Sequence, residues 1–223
     1  MCGRFAQFRP GPELEAWFET TPEEHPLPSR YNIAPGSAIR AARLDGDGRR
    51  LLSALRWGLI PSWARDRNLG YRTINARAET VADKPTFRAA FRHRRCLIPA
   101  DGFYEWQATD TGKQPYYIRR KDDQPLALAG LWEEWTDRAS GETIHSGTII
   151  VTDANALMRP IHDRMPVILA PEDHAFWLDP GTASRPALRA LLRPCDPDAL
   201  IAYPVSRRVN KATEDDPSLI EPL

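Results

Sequence analysis

Four residues of this chain have types and settings suited to covalent and proton-transfer chemistry: Cys2, Asn75, Glu105 and His162. Cys2 stands directly behind Met1, in MCGRF. Removal of Met1 would turn it into a 1,2-aminothiol, with an α-amine of ordinary pKa about 8 beside a thiol of about 8.5. Both nucleophiles would then work near neutral pH. A small residue at position 2 is compatible with methionine removal in any case, and thiol reactivity also needs an electropositive, accessible setting. Glu105 lies in GFYEWQ, where two-residue alternation puts Tyr104 and Trp106 on one face and Phe103, Glu105 and Gln107 on the other. Such a glutamate is either a solvent-facing strand residue or a partly buried acid whose raised pKa suits acid/base work. His162, in RPIHDRMP, is bracketed by Pro160 and Pro166 and is either a surface histidine or a proton-transfer group on a loop of fixed shape. Asn75 and Arg77, in TINARAET, share one face of an extended segment. An amide beside a guanidinium suits an anion or a sugar hydroxyl, or else a buried turn.

Other chemistries are disfavoured. The three cysteines, Cys2, Cys96 and Cys195, are widely spaced, without a CxxC or CxxH pair, which argues against a disulfide framework and a structural zinc site. His25, His93, His145 and His174 show no metal-ligand spacing. No metal and no cofactor are expected. Thirty Lys and Arg balance thirty Asp and Glu, so any nucleic-acid binding must use a local patch. Only Lys84, Lys113, Lys121 and Lys211 are lysines; the arginine bias fits phosphate recognition but follows equally from GC-rich coding. No apolar run approaches a membrane span, and Arg4, Gln7 and Arg9 interrupt any signal-peptide core, so a cytoplasmic, monomeric protein without membrane contact is expected.

The elements that must position these residues are short, because 21 prolines punctuate the chain. Leu14, Trp17 and Phe18 suggest a first helix, and PTFRAAFRHR a second with Phe87, Ala90 and Phe91 on one face. AIRAARL and RRLLSALRW around DGDG read as a hairpin. RCLIPA, GFYEWQA, QPYYIRR, PLALAGLWEEW and ETIHSGTIIVT read as an antiparallel meander, with Glu133 and Glu134 at a solvated edge. NALMRPI and PEDHAFWL read as helices around the strand MPVILA, RPALRALL as a helix, LIAYPVSRRV as a last strand and EDDPSLIEPL as an irregular tail. The expected class is α+β, one domain over residues 1–223, with a curved, barrel-like antiparallel β-core and peripheral short helices. Trp57 and Trp63 flank WGLIPSW, where a ring on a loop can stack on a nucleobase or simply pack in the core.

MCGRF, YNIAPG (31–36), WGLIPSW, INARAET, ADGFYEW, PIHDRMPVIL and PVSRRV, in this order, closely resemble the SRAP family, the SOS response-associated peptidases regarded as abasic-site processing proteins. The resemblance spans nearly the whole chain. It implies that Met1 is removed and that Cys2 condenses with the ring-opened aldehyde of an abasic site in single-stranded DNA, closing a thiazolidine and leaving a reversible covalent crosslink. Carried over motif by motif, it implies that Glu105 transfers the proton of ring closure and reopening. His162 would assist Schiff-base formation and reversal, and Asn75 would hold the opened deoxyribose or the amine. Arg4, Arg77 and Arg164 would contact phosphates, Trp63 would stack on or wedge beside a base, and Asn32, Pro35 and Thr152 would line the DNA path. Family members often carry two adjacent tryptophans where this chain has Trp63 and Ala64, so one aromatic contact is missing, or another ring takes its place.

Two other readings compete. Cys2 is the nucleophile of an amidohydrolase or thiol peptidase, with Asn75 stabilising an oxyanion and Glu105 or His162 as base. Or the chain is a passive single-strand binder whose affinity depends on salt and not on a lesion.

Overall fold

The structure is a computed structural model describing residues 2–181 and 184–223; Met1, on whose removal the aminothiol depends, lies outside the described residues. In chain order the elements are β1 (Phe5–Gln7), α1 (Gly11–Phe18), β2 (Arg30–Ile33), β3 (Ala38–Leu44), β4 (Arg50–Trp57), β5 (Asn75–Arg77), α2 (Arg88–His93), β6 (Arg95–Ala100), β7 (Gly102–Thr109), β8 (Gly112–Arg120), β9 (Leu126–Thr136), β10 (Thr143–Asp153), β11 (Arg164–Pro166), α3 (His174–Leu178), α4 (Arg185–Ala190) and β12 (Leu200–Pro204).

The pairings β4–β3–β6–β9–β10 return from β10 to β4 and so close a five-stranded barrel, with β5 and β11 added along β10. A second, antiparallel sheet runs β12–β8–β7–β1–β2. The class is α+β, with the barrel-like core expected. The meander is more divided than the alternation implied: β7 and β8 leave for the second sheet, and β10 runs parallel to β4 and β5. The switch occurs at Asp101–Gly102. Asp101 accepts the amides of Phe8 and Arg9 at 2.7 and 3.1 Å, which turns the chain out of β6. A Cβ at Gly102 would lie 2.3 Å from Tyr117 Cζ, so only glycine admits the crossing. Period-two alternation reads the same in both sheets and carries no sign of this exchange.

Alternation sorts the core. From the barrel strands, Ile39, Leu55, Cys96, Ile98, Leu128 and Ile149 join Cys2, Phe5, Ile33 and Phe103 in one cluster, between barrel and sheet. The neighbouring positions Ala42, Leu52, Leu97, Ala129 and Ile150 pack instead with Leu14 and Phe18 of α1, Ala90 and Phe91 of α2, Trp177 of α3 and Leu188 of α4. The outer face of the sheet, with Ala6, Tyr104 and Tyr117, is covered by Val205, Val209 and Leu219 of the C-terminal segment.

Five expectations are corrected. NALMRPI forms turns: Met158 and Arg159 donate to Asn155 O, but Pro160 has no N–H to continue a helix. The MPVILA strand is confined to Arg164–Pro166, and the last strand stops at Pro204 before a 3-10 turn at Arg207–Asn210. The tail is ordered by Asp215, which accepts the amides of Tyr31 and Asn32 at 2.6 and 3.0 Å, and by the 3-10 turn Pro217–Ile220. Glu133 is 5% exposed and accepts Arg94 Nη2 at 2.7 Å, while Glu134 stays at the surface beside His145.

The segment leading to Asn75 is clasped by two glycines. Gly58, at φ 120°, would place a Cβ 2.4 Å from Gly70 O. Gly58→Ala is therefore expected to destabilise the fold by about 3 kcal/mol, read as a lowered urea midpoint; a midpoint unchanged from wild type contradicts this packing.

Candidate active site at the amino terminus

Cys2 enters the site because β1 is central in the second sheet. Phe5 pairs with Phe103 of β7, and Tyr104 N donates to Arg4 O at 2.9 Å. Continuing that register sets Glu105 opposite Gly3, one residue from Cys2. Cys2 is fully buried and Glu105 is 2% exposed, so Glu105 is the buried acid rather than the solvent-facing one. Burial pushes the Cys2 thiol far above its ordinary value, and the Glu105 carboxylate pushes it further. Burial likewise raises the Glu105 carboxyl, partly offset by positive charge that includes the His162 ring. An ionised Glu105 thus makes ionisation of the Cys2 thiol harder still.

Asn75 is delivered from the barrel side. β5 pairs in parallel with β10, Asn75 against Ile149, and Trp57 Nε1 donates to Ile74 O at 3.0 Å. Asn75 Nδ2 donates to Cys2 O at 2.8 Å, tying the terminus to the barrel. Its Oδ1 is buried and has no partner among the described residues.

His162 Nε2 lies 4.0 Å from Glu105 Oε2. Its Nδ1 has two suitors: the Arg164 amide at 3.0 Å and Asp163 Oδ1 at 2.8 Å. A neutral ring accepts the Arg164 amide on Nδ1 and turns Nε2–H toward Glu105. A doubly protonated ring instead offers Nδ1–H to Asp163. Gln107 Nε2 donates to Pro160 O at 3.0 Å, fastening the histidine loop to the strand of Glu105. Alternation sets Gln107 on the face of Glu105, and that shared face is the sequence signal for it. Asp163 and Glu79 carried none.

Cys2, Asn75, Glu105 and His162 thus meet in one site, and the remaining residues fall around it differently. Arg4 Nη1 donates to Asn32 Oδ1 at 2.7 Å and Val209 O at 2.8 Å. Asn32 is fully buried, its Nδ2 reaching the carbonyls of Lys211 and Glu214 at 3.0 and 2.6 Å. Thr152 is 5% exposed and donates to Leu192 O at 3.2 Å. Arg164 is paired with Glu79 and, at 3.2 Å, with Asp153. Arg77 is exposed and forms no ion pair among the described residues, Pro35 is half-buried and Trp63 is exposed. Ala64 is buried, and its carbonyl accepts Trp135 Nε1 at 2.8 Å. Trp57 belongs to the core, edge-on to Phe5 with centroids 4.9 Å apart.

Two variants probe the geometry. Below about pH 4.5, the ordinary value for glutamate, Glu105 is protonated folded or unfolded; as pH rises the unfolded chain ionises first, and the folded state loses stability until its own raised pKa is passed. Glu105→Gln removes that loss, so the stability of the variant relative to wild type should climb with pH over that window, measured by urea denaturation; a flat difference contradicts the raised pKa. Asn75→Ala should cost about 1 kcal/mol by the same measurement, through the lost Cys2 anchor.

Known proteins are similar to this chain along most of its length. The model of the family "SOS response associated peptidase (SRAP)" matches residues 1–212. The abasic site processing protein YoqW of Bacillus subtilis is 45% identical over 225 residues, covering 99% of each chain. The abasic site processing protein HMCES of Xenopus tropicalis is 35% identical over 216 residues, covering 84% of this chain and 64% of that one. A crystal structure of a protein from Bacteroides thetaiotaomicron superposes with a TM-score of 0.90 at 28% identity, covering 100% of both chains. The chain belongs to the SOS response-associated peptidase (SRAP) family.

Proposed function

We propose that this protein processes abasic sites in single-stranded DNA by crosslinking itself to them through Cys2. The observation that carries the reading is the anchoring of Cys2 O by Asn75 beside a buried carboxyl of raised pKa. The names of the similar proteins YoqW and HMCES support the substrate class. With Met1 removed, the neutral Cys2 amine attacks C1′ of the open-chain aldehyde. The resulting carbinolamine loses water to give an imine. The Cys2 sulfur then adds to the imine carbon while its proton passes to the ring nitrogen, closing a five-membered thiazolidine. Amine and thiol on neighbouring carbons make that closure intramolecular, which removes most of its entropic barrier.

Glu105 is the proton carrier for this closure and its reversal: burial makes its carboxyl hold a proton more tightly than an ordinary glutamate, so that it can give one as well as take one. His162, within reach of Glu105, assists loss of water and its return. The unpartnered Oδ1 of Asn75 accepts a hydroxyl of the opened deoxyribose or the amine itself. Arg77 is free to meet a phosphate directly. Arg164 would have to share itself with Glu79 and Asp153, and Arg4, Asn32 and Thr152 act from beneath the DNA path by holding its floor. Pro35 and Trp63 border that path, with Trp63 stacking on a base.

The peptidase reading is less well supported. Asn75 grips the carbonyl that follows Cys2, not the one joining Met1 to Cys2, so it fixes the terminus instead of polarising the bond to be cut. The test is intact-mass spectrometry after incubation with a single-stranded oligonucleotide carrying one abasic site. A denaturation-resistant adduct of the Met1-less protein plus oligonucleotide minus one water is expected, absent in Cys2→Ala. Catalytic turnover of peptide amides without any adduct would overturn the reading in favour of the peptidase.

A further inference from the structure

Trp63 and Tyr71 are the large aromatic residues left exposed among the described residues, at 56% and 57%. They stand in a short segment rich in arginine. Asp66 accepts the amide of Asn68 at 2.9 Å and starts the 3-10 helix Arg67–Arg72. Tyr71 is braced on one side only. The Arg56 guanidinium lies 4.8 Å from its ring centroid, and a Cβ at Gly36 would come within 3.1 Å of its Cε1. Arg65, Arg67 and Arg72 are exposed, and none forms an ion pair or side-chain hydrogen bond among the described residues. The segment leads directly into the site. Asn75 follows Tyr71 by four residues, no more than about 14 Å of chain, and Thr73 pins the joint by donating to Leu59 O at 2.5 Å.

We infer that this strip seats the single strand flanking the lesion nucleotide, with Tyr71 as a base-stacking platform alongside Trp63 and with Arg65, Arg67 and Arg72 on the phosphates. The inference rests on the crosslinking function proposed above, and extends it from one nucleotide to its neighbours. Two open rings interleaved with unpaired guanidinium groups match a strand whose bases are unstacked and whose backbone is charged. A duplex offers no open base face to either ring. An acidic peptide would use the arginines and leave Tyr71 idle.

The test compares wild type, Tyr71→Ala, Tyr71→Phe and the triple variant R65Q/R67Q/R72Q, using a fluorescent, unlesioned oligothymidylate and, separately, 2-deoxyribose 5-phosphate, the abasic sugar with no neighbouring nucleotide to occupy the strip. Tyr71→Ala should weaken oligothymidylate binding about tenfold, and Tyr71→Phe should restore it. The triple variant should lower the slope of log K against log salt by about 2. Adduct yield with 2-deoxyribose 5-phosphate should be the same in all four proteins. Wild-type affinity in Tyr71→Ala, an unchanged salt slope in the triple variant, or equal binding of duplex and single strand would each overturn the inference. Should Tyr71→Ala fold poorly, as judged by its melting temperature, the triple variant, whose side chains support nothing else, decides alone. Absence of any adduct in wild type, with 2-deoxyribose 5-phosphate or with an abasic oligonucleotide, while oligothymidylate is still bound through Tyr71, would refute the crosslinking function and leave the strip standing.

Discussion

Everything at the site depends on how strand β10 spends its backbone hydrogen bonds. It is one of the two longest strands, and it pairs antiparallel with β9 and then β11, and parallel with β4 and then β5. The pairing with β9 and β4 closes the barrel. The next residues along the same strand carry Asn75 and Arg77 on β5, and Arg164 on β11. Barrel closure and site assembly are therefore one event: the site cannot loosen without opening the ladder that also encloses the core.

Against this frame the second sheet supplies the opposite wall, and the contact between the two is chemical as well as steric. The Asn75 amide on the Cys2 carbonyl is a short polar link through an otherwise apolar cluster. Low polarity there strengthens hydrogen bonds and penalises charge in equal measure. That is why the thiol and the carboxyl both hold their protons more tightly than in water. Gln107 fastens the loop of the histidine to the strand of Glu105, and Asp163 borders the ring, so His162 is held 4.0 Å from the Glu105 carboxyl.

Much of this was legible in the sequence. Alternation in GFYEWQ put Phe103 and Glu105 on one face, and the structure sets both beside Cys2, because a central strand keeps its period when both faces are covered. Leu14 and Phe18, and Phe87, Ala90 and Phe91, lie on the buried helical faces their spacing indicated. What the sequence did not show was partnership across distance. Nothing local distinguishes Asn32, which ties down the C-terminal carbonyls, from an asparagine facing solvent. Nor does anything in PIHDRMP reveal that Arg164 is neutralised by Glu79. The exchange of strands at Asp101–Gly102 was hidden for the same reason: it is decided by Arg9 and Tyr117, residues far away along the chain.

The burial of Cys2 has one more consequence. Peroxide and soft electrophiles react with thiolates, and a thiol held in its neutral form inside an apolar cluster presents almost none. The sulfur is thus shielded from the oxidants and electrophiles that consume exposed thiolates. The same desolvation that makes this cysteine a poor general nucleophile keeps its thiol chemically durable.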